Sequence, residues 1–159
     1  MRKIWNVGLV ALATISGCAS ASSVRMSERE IMVQSTAAPA CGTEGAMKAA
    51  QKQAAIETIK AGYDRYIIVG TSSSNNVHTD VVPGVANTYG NANFYGNSAT
   101  FNSTTTYTPM VITSGHFNQG FVVRMFKNGE PGAAQAVSAR AVLGPKWADS
   151  VKRGVLTCT

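Results

Sequence analysis

Between Gly45 and Val69 the sequence changes its period, and that change confines the fold. Gly45 to Ala61 is dense in Ala, Lys, Gln, Glu and Met, residues that lose little conformational freedom in a helix. Thr43 is placed to cap this helix, and Glu44 falls in the first turn, where the helix dipole favours a carboxylate. Gly62 stops it. The β-branched and aromatic run Tyr66-Ile67-Ile68-Val69 follows, bounded by Asp64 and Gly70. Helix, glycine stop and strand form one supersecondary unit. The unbroken apolar run predicts a central strand covered at least in part on both faces. Met47, Ala50, Ala54, Thr58 and Ala61 share one stripe of the helix. Their small side chains allow close approach to a sheet. Ile56, Ile59 and Tyr63 make a second apolar strip on roughly the opposite side, bordered by Lys48 and Lys52. That strip needs cover, expected from the C-terminal segment.

The rest of the chain supplies the sheet. In Gln119 to Lys127, Phe121, Val123 and Met125 point one way and Val122, Arg124 and Phe126 the other. Asn128-Gly129 is a turn. Ala133 to Val142 is Ala-rich and reads as helical. Gly144-Pro145 breaks it, and a last short helix runs through Trp147 and Val151 to Gly154. Ser72 to Tyr107 is biased toward Asn, Ser, Thr and Gly, with Tyr89, Phe94, Tyr95, Phe101 and Tyr107 at intervals. Tyr95-Gly96-Asn97-Ser98 is a hairpin turn signal, and Phe101, Ser103, Thr105 and Tyr107 alternate with polar partners. The expectation is a pair of long polar strands projecting from the body. A low-complexity loop is the competing reading, but disordered segments rarely carry so many aromatics. The fold class is therefore α+β: an Ala-rich helix on an antiparallel sheet, with a polar hairpin and a short C-terminal helix.

The first eighteen residues carry a different message. Arg2-Lys3 precedes an apolar stretch from Ile4 to Ile15, and Ser16-Gly17 leads into Cys18. The stretch is too short for a helix that needs about 20 residues to cross a bilayer. This segment resembles the signal sequence and lipobox of bacterial lipoproteins. The resemblance implies removal of residues 1–17 and lipidation of Cys18. Ala19-Ser20 lacks the Asp that often retains lipoproteins at the inner membrane, so the outer membrane is implied, with the domain on its periplasmic or surface side. An ordinary secretory cut after Ala21 also fits, because Ala19-Ser20-Ala21 is a small-x-small site. Residues 18–40 then read as a lipidated tether of up to about 70 Å, within which Ile31-Met32-Val33 has the makings of a short strand. Residues 41–159 form a single domain.

The chain has three cysteines. If Cys18 carries lipid, Cys41 and Cys158 remain as a pair in an oxidising compartment. A bridge joining the two ends of the domain would contribute about 4–5 kcal/mol in the chain-entropy view. Two unbridged thiols are the alternative. Ala54, Thr58 and Gly62-Tyr63-Asp64-Arg65-Tyr66, together with the hairpin, also make the chain similar to small bacterial envelope lipoproteins in which an Ala-rich helix runs into a Gly-Tyr-Asp-aromatic strand start. That likeness carries no catalytic motif, so only the lipidated cysteine transfers from it.

Chemistry is thinly represented. Loss of Arg2 and Lys3 with the leader lowers the formal charge from +6 to +4. The remaining Lys and Arg are scattered, which argues against a nucleic-acid partner. No G-x-S-x-G elbow, P-loop or dinucleotide fingerprint is present. A triad can be drawn only by combining Ser72, Ser73 or Ser74 with His78 or His116 and Asp64 or Asp80. His78, Asp80 and His116 would make a weak three-ligand metal site. Solvated loop residues are the simpler explanation of all of these, so neither metal nor cofactor is expected. The functional expectation is a membrane-anchored, non-enzymatic envelope module. Cross-strand packing that holds the hairpin together is the first reading of Tyr89, Phe94, Tyr95, Phe101 and Tyr107; the alternative is that they form the binding surface, with an envelope protein or polysaccharide as partner. A hydrolase of cell-wall or lipid substrates using the His78/His116 loops is the alternative.

Overall fold

A computed structural model describes residues 19–155. The leader, Cys18 and Cys158 lie outside the described residues. The elements are β1 (Ala19–Arg25), β2 (Glu30–Ala37), α1 (Gly42–Lys60), β3 (Arg65–Asn75), β4 (His78–Tyr95) and β5 (Ser98–Ser114). They continue with β6 (Phe117–Phe126), β7 (Val137–Ser138), α2 (Ala139–Leu143) and α3 (Trp147–Arg153). The fold is α+β. Five antiparallel strands run in the order β1-β2-β6-β3-β7, and β4-β5 make a separate two-stranded sheet.

The middle of the sheet belongs to β6, not to the Tyr66-Ile67-Ile68-Val69 run. Ile31, Val33, Ser35 and Ala37 of β2 face Val123, Phe121, Gln119 and Phe117 of β6 in register. Ile31, Val33, Phe121, Val123 and Met125 are all buried in one core cluster. β3 pairs with β6 on one side, but on the other it meets only the two residues of β7. Val69, the extra residue where the β3–β6 register shifts, is 48 % exposed.

The tether expected over residues 18–40 is not what forms. Ala19–Arg25 and Glu30–Ala37 are paired strands of the main sheet, with Ala19 opposite Ala37 and Arg25 opposite Ile31. The reason is visible in β2, whose Ile31, Val33, Ser35 and Ala37 are buried while Met32, Gln34 and Thr36 are not. This is the period of two of a strand with one buried face. The charged residues Arg25 to Glu30, read as the centre of a tether, are the hairpin between the strands. Met26 and Ser27 donate their amides to the Glu30 carbonyl.

α1 covers one face of the sheet. Ala46, Ala49, Ala50 and Ala54 are fully buried, and their methyl groups let the helix axis come close. Ser35 Oγ donates to the Ala46 carbonyl at 2.6 Å, a buried link between sheet and helix. The helix begins at Gly42 with Cys41 at its N-cap and no side-chain cap, so Thr43 does not cap it. Of the expected stripe, Ala50, Ala54 and Thr58 are fully buried and Ala61 packs on the core, but Met47 is 41 % exposed; the buried face widens instead onto Ala46, Ala49 and Gln53. The Ile56, Ile59 and Tyr63 strip is covered as anticipated, with Val142 and Leu143 of α2 joining the same core. Ala133 to Val142 is not one helix. It is a 3₁₀ turn at Ala133–Gln135, then β7, then α2.

Candidate functional site

The β4–β5 hairpin is the feature that the core does not explain. Its strands are 18 and 17 residues long and pair only with each other. At about 3.3 Å per residue the arm is about 55 Å long. It prolongs the β3–β6 pair, whose ladder ends at Asn75 opposite Phe117, while the arm begins at His78 opposite Ser114. Asn76 secures the joint. Its amide donates to the His116 carbonyl at 3.2 Å, and its Oδ1 accepts from the His116 amide at 2.7 Å. At the tip, Gly96 has φ +57° while Asn97 stays at negative φ, the pattern of a II′ turn.

A bulge divides the arm. Pro83-Gly84 faces Pro109 alone, and the register shifts between Val82 and Val85. Neither proline has an amide to leave unpaired. A Cβ at Gly84 would run into the Thr108 carbonyl, so only glycine fits there. Beyond the bulge, eleven residues of β4 (Val85–Tyr95) pair with eleven of β5 (Ser98–Thr108).

Opposed residues share a face, so the register sorts the two faces. One carries Ala86 with Tyr107, Thr88 with Thr105, Gly90 with Ser103, Ala92 with Phe101 and Phe94 with Ala99. The Thr88 and Thr105 hydroxyls satisfy each other at 2.9 Å. The Phe101 ring lies over Gly90, where a Cβ would sit 2.7 Å from its Cζ. The other face carries Asn87, Asn91, Asn93 and Asn102 with a row of threonines, interrupted by Tyr89 and Tyr95. The five expected aromatics are therefore on the arm, and all are exposed, from 67 % at Phe101 to 77 % at Tyr89 and Tyr95. They do not form one patch. Phe94, Phe101 and Tyr107 occupy the apolar face, and Tyr89 and Tyr95 the Asn-rich one. From Val81 to Val123 the chain contains no Lys, Arg, Asp or Glu.

Val81, Val85, Met110, Val111 and Ile112 were not among the expected surface residues, yet all are well exposed near the base of the arm. Their signal in the sequence was the absence of charge rather than a motif.

The chemical candidates are placed as follows. His78, Asp80 and Ser114 meet at the arm's base, with Ser114 Oγ 3.0 Å and Asp80 Oδ2 3.3 Å from His78 Nε2. Serine and carboxylate thus compete for one ring nitrogen, and Nδ1 faces the Asn76 carbonyl at 3.1 Å. A hydrolytic relay instead needs the carboxylate on the nitrogen remote from the serine. The His78 and Asp80 side chains are each 61 % exposed.

Ser72, Ser73 and Ser74 lie in the β3–β6 ladder, away from this group, and Ser74 Oγ accepts from Asn118 Nδ2. Asp64 sits at the other end of β3, where it accepts from the Asn128 amide at 3.1 Å. Arg65 beside it donates to the Asn128 side chain and to the Ala136 carbonyl, each at 3.0 Å. His116 contributes its backbone to the Asn76 joint. Among the described residues no three His, Cys, Asp or Glu side chains converge as metal ligands.

No helix among the described residues is long and apolar enough to cross a membrane. Comparison with protein-family models, with curated proteins and with solved structures finds no match to this chain.

Proposed function

We propose that this chain is a lipid-anchored protein of the bacterial outer membrane and that it acts by binding, with the β4–β5 arm as its contact element. The observation that carries the reading is the arm: two long strands, exposed on both faces, with a free edge on each side and no Lys, Arg, Asp or Glu beyond Asp80 at the base. Edge strands of soluble proteins are usually blunted by charge or cover, and a two-stranded ribbon in water is marginal on its own. Exposed apolar surface of this extent marks an interaction site. The anchor rests on the basic, apolar and small-residue run that ends in Gly17-Cys18. A Cys41–Cys158 bridge is part of the same reading. Cys41 and Val155 pack on one small cluster with Ala19, Ala37 and Phe117, and Val155 is three residues from Cys158, within about 10 Å of chain.

The test has two parts. Radiolabelled fatty acid should enter the wild-type chain and not Cys18→Ser; no label in the wild type would end the lipoprotein reading. Crosslinking in intact envelopes should give adducts that vanish when Thr88 to Thr106 is replaced by a short Gly-Ser linker. Unchanged adducts would move the contact surface off the arm.

A further inference from the structure

The end of the sheet from which the arm departs is also the end at which β1 begins. Ala19 pairs with Ala37, Ala37 with Phe117, and Phe117 with Asn75. These four residues form one row across four strands, and the arm starts three residues beyond Asn75. Because Ala19, the residue after Cys18, is already paired in β1, an acyl chain on Cys18 would hold this end of the domain against the bilayer. The arm would then meet the same membrane that holds the lipid.

The arm has the proportions of a membrane-crossing hairpin. Spanning strands need about 9–11 residues each at a tilt of about 45°, and eleven paired residues lie on each strand between bulge and turn. Eleven residues at about 3.4 Å, tilted by about 45°, rise about 26 Å, against an apolar band about 25 Å tall in barrels of this kind. The two faces differ as lipid and lumen faces do. Phe94 beside the turn and Tyr107 near the bulge, where aromatic girdles would fall, bracket an uncharged face of Phe101, alanines, Gly90, Ser103 and the paired Thr88 and Thr105. Asn87, Asn91, Asn93 and Asn102 take the opposite face with Thr100, Thr104, Thr106 and Thr108, while Thr88 and Thr105 on the first face satisfy each other. The turn Tyr95-Gly96-Asn97-Ser98 is uncharged, so carrying it across a bilayer desolvates no ion.

A lone hairpin cannot remain in hydrocarbon, because both outer edges would leave backbone amides and carbonyls unpaired. The partner that fits each edge is another copy of the hairpin: the free edge of β4 against the free edge of a neighbour's β5, antiparallel as in the hairpin itself. Repeated head to tail, this contact closes a ring with an even number of strands and no remaining edge.

We infer that the β4–β5 arms of several copies assemble into one membrane-crossing barrel, with Phe94, Phe101 and Tyr107 toward lipid and Asn91 and Asn102 toward an aqueous lumen. This rests on the reading of the arm as the contact element of an anchored protein, and it names the partners as further copies and the bilayer.

The test uses the full-length protein, extracted in detergent and reconstituted into phosphatidylethanolamine–phosphatidylglycerol vesicles and planar bilayers. Stepwise conductance and release of a small entrapped dye are expected. Ala92→Lys, on the lipid face, should lower both by at least about tenfold. Asn91→Lys and Asn91→Asp, one residue away on the lumen face, should still conduct and should shift ion selectivity in opposite directions. Circular dichroism matching the wild type should show that each variant is folded. Silence of the vesicle-bound wild type, full activity of Ala92→Lys, or fibres without conductance would each overturn the barrel. Should the wild type be silent while a photocrosslinker at Asn91 captures a different envelope protein, the barrel falls and the contact reading stands. If removing the arm leaves envelope adducts unchanged, both fall.

Discussion

Tyr66 shows how much of this core depends on single side chains. Its ring is buried between α1 and the sheet, and its hydroxyl donates to the Gln51 carbonyl at 3.4 Å. Burial disfavours the phenolate and pushes its pKa up from 10.0 to about 12. The folded state therefore holds this proton more tightly than the unfolded chain does. The resulting stability is complete below about pH 10 and is lost as pH rises toward 12, about 3 kcal/mol in all. Tyr66→Phe should flatten that alkaline limb relative to wild type in denaturant titrations at pH 9 to 12; an unchanged limb would mean that the hydroxyl is solvated. Ala54 makes the complementary point about volume. It is fully buried against the sheet, so Ala54→Leu should cost about 1–3 kcal/mol by overpacking. Lys48→Leu, at an exposed position, should cost much less. Equal losses by thermal or urea unfolding would mean that the helix face is misassigned. Glycine matters most at Gly84 and Gly115, where backbone occupies the space of a Cβ.

At the scale of elements, the arm and the body are separable. β4 and β5 contact each other extensively and touch no other element to a comparable degree, so the core clusters contain none of their residues. Replacing Thr88 to Thr106 by a Gly-Ser linker should leave the melting temperature of the body nearly unchanged; cooperative loss of folding would show that the arm supports the sheet. β1 behaves in the opposite way. Ala19 is buried with Ala37, Ala46 and Ala49, so removing β1 strips an edge and part of a core. The Gly62-Tyr63-Asp64-Arg65-Tyr66 run, which looked like a family mark, has a structural account. Tyr63 and Tyr66 fill the core, Asp64 accepts from Asn128, and Arg65 ties down the loop to Ala136.

For the whole molecule, the notable feature is that several ends meet. The start of β1, the start of α1, the segment after α3 and the base of the arm converge on one end of the sheet. A Cys41–Cys158 bridge there would lock the C-terminal segment to the helix start and stabilise the fold by about 4–5 kcal/mol in the chain-entropy view. Peptide mapping without reduction should recover the two cysteines in one crosslinked peptide, and free thiols at both sites in envelope-derived protein would refute the pairing.

What the sequence determined alone was local. The helix, its glycine stop, the strand that follows, the alternation in β6 and the turn at Gly96-Asn97 are each written in a handful of neighbouring residues, because helix and strand periods and turn dihedrals are short-range properties. The exposed aromatics were legible for the same reason. Tertiary structure decided what depends on a distant partner. The pattern of Ile31, Val33, Ser35 and Ala37 was present in the sequence, but it became a strand only with β6 beside it, and Ala19–Arg25 only with β2. The expected stripe of α1 is buried at Ala50, Ala54 and Thr58, but that Ala46 and Ala49 join it in the first turns while Met47 stays in solvent was decided by the packing of the helix. That the arm stands free, sorts its residues into an apolar and an Asn-rich face, and leaves the sheet beside Ala19 follows from strand register. Register is set by the pairing of residues far apart in the chain, and no local pattern encodes it.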